Sequence, residues 1–199
     1  MEPLKFDIRN LPFAGTVTRW HSVNCHRYPS IAEHSCLVAL YAREIAARVV
    51  PQLKAEQQVL LYELALLHDL SEIVTGDMPS PIKRALREHF EGQASPIDQL
   101  ERAICPDAAQ REDLAQVPEQ SYLWRILKLA DILDALVVIR QEGKGPAREV
   151  ISQERSEAFE SLLIKAQAEH PDLNWEGARW VRDRVCELKH VQLDEFGRA

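Results

Sequence analysis

Leu66-Leu67-His68-Asp69-Leu70-Ser71-Glu72 ends a run whose apolar residues recur at helical spacing from Ala55 onward. That spacing predicts a helix over 55–71. An adjacent imidazole and carboxylate among leucines are expensive to bury unless something pairs with them. Two further places show the same conflict. Ser30-Ile31-Ala32-Glu33 reads as a capping box, a Ser N-cap with Glu three residues on. It opens a helix expected over 31–50 and closed by Pro51, with His34 on the apolar stripe of Val38, Tyr41 and Ile45. Asp131 lies inside Leu129-Ala130-Asp131-Ile132-Leu133, within a helix expected over 119–141.

The rest of the chain reads as helices and their punctuation. Pro3, Pro12 and Gly15 make residues 1–18 irregular, and a loop follows through Pro29. Thr75 to Ser80 is a loop, after which Ser80 caps a helix with Pro81 at its first position, running to about Phe90. A linker is expected at 92–95, with shorter helices at 96–104 and 108–116. Gly143, Gly145 and Pro146 stop the long helix, and Pro171 separates two more at 148–168 and 174–190. No segment alternates as a strand does, and there is no repeat. The expectation is an all-α helical bundle of one domain, 1–199, with the chemistry-bearing core at about 16–140 and C-terminal helices at about 147–190.

Composition narrows the function. A formal net charge of -7 disfavours a nonspecific nucleic-acid binder, which needs many Lys/Arg contacts to phosphates. It leaves room for a small phosphorylated ligand, which needs only a few local cations. Four cysteines (Cys25, Cys36, Cys105, Cys186) without a CxxC pair suggest neither a zinc finger nor a disulfide scaffold. No signal peptide and no apolar run of about 20 residues is visible, so a cytoplasmic protein without a membrane partner is expected.

His34, His68, Asp69 and Asp131 are the polar residues that apolar helices carry against their own interest. Taken singly, each has an ordinary reading as a satisfied core histidine, a cap or a surface acid. Together they could be satisfied by one divalent ion, and two imidazoles with two carboxylates suit Co, Mn, Fe, Ni or Zn. Asp134, one turn beyond Asp131, is the substitute ligand.

The order His34, His68-Asp69, Asp131 resembles the HD-domain phosphohydrolase superfamily. The flanks are Ala32-Glu33-His34-Ser35, Leu66 to Glu72, Thr75-Gly76-Asp77-Met78-Pro79 and Lys128-Leu129-Ala130-Asp131, with Arg19-Trp20 upstream. They resemble its deoxynucleoside 5′-monophosphatase branch over about residues 16 to 140. The resemblance implies that His34, His68, Asp69 and Asp131 hold the metal and that Glu72 activates or orients the attacking water. Asp77 would orient water or protonate the leaving oxygen. Arg19 would bind phosphate, and Trp20 would pack on the nucleoside and exclude a ribose 2′-hydroxyl. Lys83 and Lys128 are further candidate phosphate cations, though either also reads as a solvated helix residue. Glu72 follows His68 by four residues, so a continuing helix puts both on one face. An acid at that helix end opposes the helix dipole, a placement that suits function better than stability.

The chain departs from the cellular monophosphatase pattern at His26-Arg27-Tyr28-Pro29-Ser30. Its Arg19-Trp20-His21-Ser22 start resembles phage-type dATP triphosphohydrolases, which release triphosphate and would bring additional Mg with their substrate. The expected partner is a small deoxynucleotide in either case. A homodimer or higher oligomer is also expected, from the resemblance and from Trp175 and Trp180 in the tail. A nucleotide-sensing regulatory HD protein is the third reading, against which intact Glu72 and Asp77 argue. A (p)ppGpp hydrolase or cyclic-nucleotide phosphodiesterase fits the Arg-Trp and Thr-Gly-Asp signatures less well.

Overall fold

The computed structural model describes residues 4–90 and 95–187. Residues 92–94 of the expected linker and 188–190 of the expected last helix lie outside them. After a 3-10 helix at Ile8–Gly15 come α1 (Ile31–Val49), α2 (Ala55–Leu67), α3 (Glu72–Thr75), α4 (Ser80–His89) and α5 (Pro96–Ile104). Then follow α6 (Pro106–Gln116), α7 (Ser121–Glu142), α8 (Gly145–Glu169) and α9 (Glu176–Cys186). Among the described residues there is no strand, only two isolated bridges, Thr18 with Ser30 and Cys25 with Gly143. The all-α expectation holds.

Local chemistry explains the starts. Ser30 Oγ accepts from the Glu33 amide at 3.2 Å, and the Glu33 carboxylate accepts from the Ser30 amide at 2.8 Å. Pro96 and Pro106 each open a helix, where a missing N–H costs nothing. The N-terminal segment is more ordered than its prolines suggest, because Asp7 and Asn10 cap the 3-10 turn reciprocally. The glycines after α7 make a tight corner: α8 begins at Gly145, whose φ of 66° is left-handed.

Helices α1 and α7 form the centre. Val38, Ala42, Ile45 and Val49 pack with Leu61 and Leu64 of α2 and with Leu123, Ile126, Leu127 and Leu133 of α7. Phe159 and Leu163 of α8, with Trp175 and Val181 at the end of the chain, complete the same core. Trp175 is 1% exposed and covers that core, so it offers nothing to a partner, whereas Trp180 is 48% exposed. A second cluster of Ile104, Cys105 and Ala108 holds Leu67, Leu70 and Val74 and anchors the chain around His68-Asp69.

The helix expected over 55–71 stops at Leu67. The His68 ring donates from Nδ1 to the Ala65 carbonyl at 2.9 Å, and the backbone tightens into i to i+3 bonds, Leu70 to Leu67 and Glu72 to Asp69. Glu72 therefore begins α3 instead of ending α2, which puts its charge on the favourable side of a helix dipole.

Helix α9 reaches α1 through Gly177, where an added Cβ would lie 2.6 Å from Arg48 Cβ and 3.0 Å from the Arg48 carbonyl. Gly177→Ala should destabilise the fold by about 1–3 kcal/mol, the usual penalty of overpacking. A lowered urea midpoint at unchanged slope would register it; an unchanged midpoint would mean that α9 can move away freely.

Candidate functional site

Three elements deliver the site. His34 comes from the first turn of α1, His68 and Asp69 from the corner after α2, and Asp131 from the middle of α7. Ligand-type atoms of His34, His68 and Asp131 all lie within 4.8 Å of one another. The Asp69 carboxylate stands 3.3 Å from His34 Nε2 and 3.5 Å from His68 Nε2. All four residues named from the sequence thus meet.

The ring tautomers show what the cluster is for. Asp134 Oδ2 accepts from His34 Nδ1 at 2.7 Å, and the Ala65 carbonyl accepts from His68 Nδ1. Each neutral ring then carries its lone pair on Nε2, and the two Nε2 atoms face each other at 3.1 Å. Two lone pairs at that separation, beside two carboxylates, call for positive charge between them. Burial disfavours an imidazolium at His34, yet hydrogen bonds to Asp134 and Asp69 outweigh it and lift its pKa to about 9. Burial pushes the His68 pKa the other way, down from its ordinary value. Burial also works against the charge of Asp69, but His68 and Arg19 hold it well below the usual carboxylate range. A divalent ion supplies the charge this arrangement demands, so the donor set fits one.

Around this centre runs a chain of alternating charges. Arg19 pairs with Asp69 and lies 3.9 Å from Glu72 Oε2. Lys83 pairs with Glu72 Oε1 at 2.7 Å and with Glu101 at 2.8 Å. Glu72 is buried, and its Oε2 has no hydrogen-bond partner. Burial and then the Asp69 charge push its pKa up to about 8, against the pull of Lys83 and Arg19. Lys128 lies over the Trp124 ring at 4.6 Å, with no carboxylate within 4 Å among the described residues.

Trp20 has a φ of 67°, the only positive φ of a non-glycine among the described residues. So bulky a residue is strained there and must be held. The Asp77 carboxylate accepts from its amide at 3.3 Å, and Arg19 donates from its own amide to Pro29. Two cavities flank the centre. One, of about 170 Å³, is walled by Trp20, Val23, Pro79, Ile132 and Ile151 and touches Arg19, Asp77 and Asp131. The other, of about 440 Å³, runs from His68 and Asp69 past Lys83 to Trp124 and Lys128.

Residues 14–172 match the YfbR-like family, described as 5′-deoxynucleotidase YfbR-like. The chain belongs to this family. A dATP triphosphohydrolase of Acinetobacter phage SH-Ab 15497 is 28% identical over 191 residues, covering 87% of this chain and 88% of the relative. One from Cyanophage S-2L is 35% identical over 134 residues, 66% of this chain and 69% of the relative. A 5′-deoxynucleotidase of Klebsiella pneumoniae (strain 342) is 33% identical over 125 residues, 61% of this chain and 53% of the relative. The solved Cyanophage S-2L HD phosphohydrolase (DatZ), bound to dA and one catalytic Zn2+ ion, superposes with a TM-score of 0.69 at 24% identity. The superposition covers 89% of this chain and 98% of that one, and it establishes a shared fold. Family membership makes this chain a hydrolase, and it has the fold of an HD phosphohydrolase.

Three residues of the site were not assigned these places from sequence. Asp134, expected only as a substitute ligand, bonds the outer nitrogen of His34; its position three residues after Asp131 on an apolar helix was the available signal. Glu101 and Trp124 hold the two lysines and carried no signal. Carboxylates behind a metal-binding imidazole fix its tautomer. Asp134→Ala should weaken divalent-metal affinity by roughly 10- to 100-fold. Asp134→Asn keeps an acceptor and should lose less. Competition with a chromophoric chelator would measure both, and wild-type affinity in the alanine variant would remove Asp134 from this role.

Proposed function

We propose that this protein hydrolyses the 5′-phosphoester of deoxynucleoside monophosphates, releasing the deoxynucleoside and orthophosphate, with one divalent transition metal held by His34, His68, Asp69 and Asp131. The observation that carries the reading is the pair of facing Nε2 atoms, 3.1 Å apart beside Asp69 and Asp131, with a buried acid, Glu72, next to them. The zinc of the structural neighbour supports zinc among the candidate metals.

A divalent ion held here by His34, His68, Asp69 and Asp131 would polarise the phosphoryl oxygens and make the phosphorus more electrophilic. The chain's own residues do the rest. Glu72, fixed through Oε1 by Lys83, keeps Oε2 free to take a proton from the attacking water. Arg19 is available to the phosphate while holding Asp69 in place. Asp77 accepts from the backbone amide of Trp20 and lines the smaller cavity, from which it would orient water or protonate the leaving oxygen.

The larger cavity favours a second reading, a dNTP triphosphohydrolase that releases triphosphate. Its volume admits outer phosphates, and Lys83, Arg87, Arg102 and Lys128 line it. Four carboxylates, Asp69, Asp98, Glu101 and Glu112, line it as well. Arg87 is engaged by Asp98, Lys83 by Glu101 and Arg102 by Asp113, so among the described residues Lys128 is the one of the four without an ion pair, and the monophosphate reading is preferred. Additional Mg would belong to the triphosphate reading only. Four free thiols support a reducing, cytoplasmic setting, and the exposed Trp180 on α9 supports a homodimer.

Metal-loaded protein incubated separately with dNMP and dNTP panels should release orthophosphate from the former. Triphosphate from dNTPs, with dNMPs untouched, would replace the first reading by the second. In the same assay Glu72→Gln should lower kcat by roughly 100-fold or more while leaving metal content nearly unchanged. A near-normal kcat would take Glu72 out of the chemistry.

Sugar choice follows from Trp20. An indole beside the sugar leaves a 2′-hydroxyl no acceptor, and an unpaired buried hydroxyl costs about 1–3 kcal/mol. The wild type should prefer dAMP to AMP by roughly tenfold to more than a hundredfold in kcat/KM. Trp20→Ala should narrow that ratio. Equal use of the two by the wild type would remove the sugar assignment.

A further inference from the structure

Arg155 is out of place electrostatically. Among the described residues it is the only arginine whose side chain makes neither a hydrogen bond nor an ion pair. It is half-buried, and its Nε is cut off from solvent without an acceptor. A guanidinium that gives up water on one side and gains no hydrogen bond from the protein is costly, and an unpaired arginine is unexpected in a chain with a net charge of -7. Its position supplies the reason. Arg155 lies on α8 and lines the cavity of about 170 Å³ that also touches Trp20, Asp77 and Asp131. Its terminal guanidinium nitrogens bond nothing in the described protein either, and they are the donors that an acceptor entering that cavity would meet.

We propose that Arg155 binds the edge of the nucleobase and sets the base preference of the site, with the neighbouring Glu154 accepting from the same edge. The proposal rests on the deoxynucleotide reading and extends it to a residue outside the motif-bearing core. Three observations favour a base over a phosphate. The wall around Arg155 is mostly apolar, with Trp20, Val23, Pro79, Ile132 and Ile151, and it suits a flat heterocycle better than a dianion. Glu154 lines the same cavity, and its charge would repel a phosphate placed between the two residues. A base edge carries donors and acceptors side by side, so it can satisfy a guanidinium and a carboxylate together. Asp131 and Arg19, which also line the cavity, adjoin His34 and Asp69, where the phosphate would sit.

The test is binding of the four deoxynucleosides, which carry no phosphate, to the full chain by titration calorimetry, with 2-deoxyribose 5-phosphate as a base-free probe. Arg155→Ala should weaken deoxynucleoside binding by roughly ten- to a hundredfold, the usual effect of losing a hydrogen bond to a charged group. The loss should differ among the four bases, because a donor is removed and their acceptors differ. Arg155→Gln keeps the stem and one donor, and it should fall between wild type and alanine. Binding of the base-free probe should not change. Unchanged deoxynucleoside binding would overturn the proposal, and so would an equal loss for all four bases and the base-free probe. If the wild type itself neither binds deoxynucleosides nor hydrolyses deoxynucleotides, the substrate reading fails and this assignment with it. Hydrolysis with an unaltered base profile in Arg155→Ala overturns the assignment alone.

Discussion

Asp134 and His34 meet in the interior between α7 and α1, where the carboxylate accepts from the imidazole at 2.7 Å and both side chains are almost wholly out of water. Neither could be buried there alone without a penalty of several kcal/mol. Paired, they tie the two central helices at one register and turn His34 Nε2 toward the corner after α2. The rest of the site is arranged around that direction. His68 is set by the Ala65 carbonyl so that its own Nε2 looks back, and the shortened end of α2 swings Asp69 and Glu72 toward the same point.

A second constraint is charge alternation. Asp69, Arg19, Glu72, Lys83 and Glu101 form a sequence of partners of alternating sign that joins the corner and the N-terminal segment to α4 and α5. Exposed pairs elsewhere, such as Arg9 with Asp7, are screened by water and contribute little. The pairs around Glu72 are shielded from water, so each member depends on its neighbours far more than a surface pair does. Lys83, beside the buried Glu72, is accordingly engaged by two carboxylates. The strained backbone of Trp20 persists likewise, with Asp77 on its amide and Arg19 anchored on both sides of the peptide.

Much of this was legible. Helix periodicity, the Ser30 capping box and the prolines at helix starts located the elements to within a few residues, because those signals are local. The polar residues on apolar stripes marked His34, His68 and Asp131, because burying them unpaired is costly wherever the helix goes. The break at Leu67 was not legible, since it comes from the His68 ring capturing a carbonyl of its own helix. Nor was the place of Trp175, whose ring reads equally as core or interface until α1 and α7 are packed against it.

The order of chemical groups along the chain, and the helices that carry them, were determined by the sequence itself. Tertiary structure alone decided which nitrogen of each histidine is free and which acid binds Lys83. It alone brought α8, far outside the motifs, to place an unpaired Arg155 beside Trp20. The reason is physical. Helix formation and capping depend on residues within four positions of each other, whereas a hydrogen-bond partner or a cavity wall is chosen by whatever the packed helices bring within about 3–4 Å.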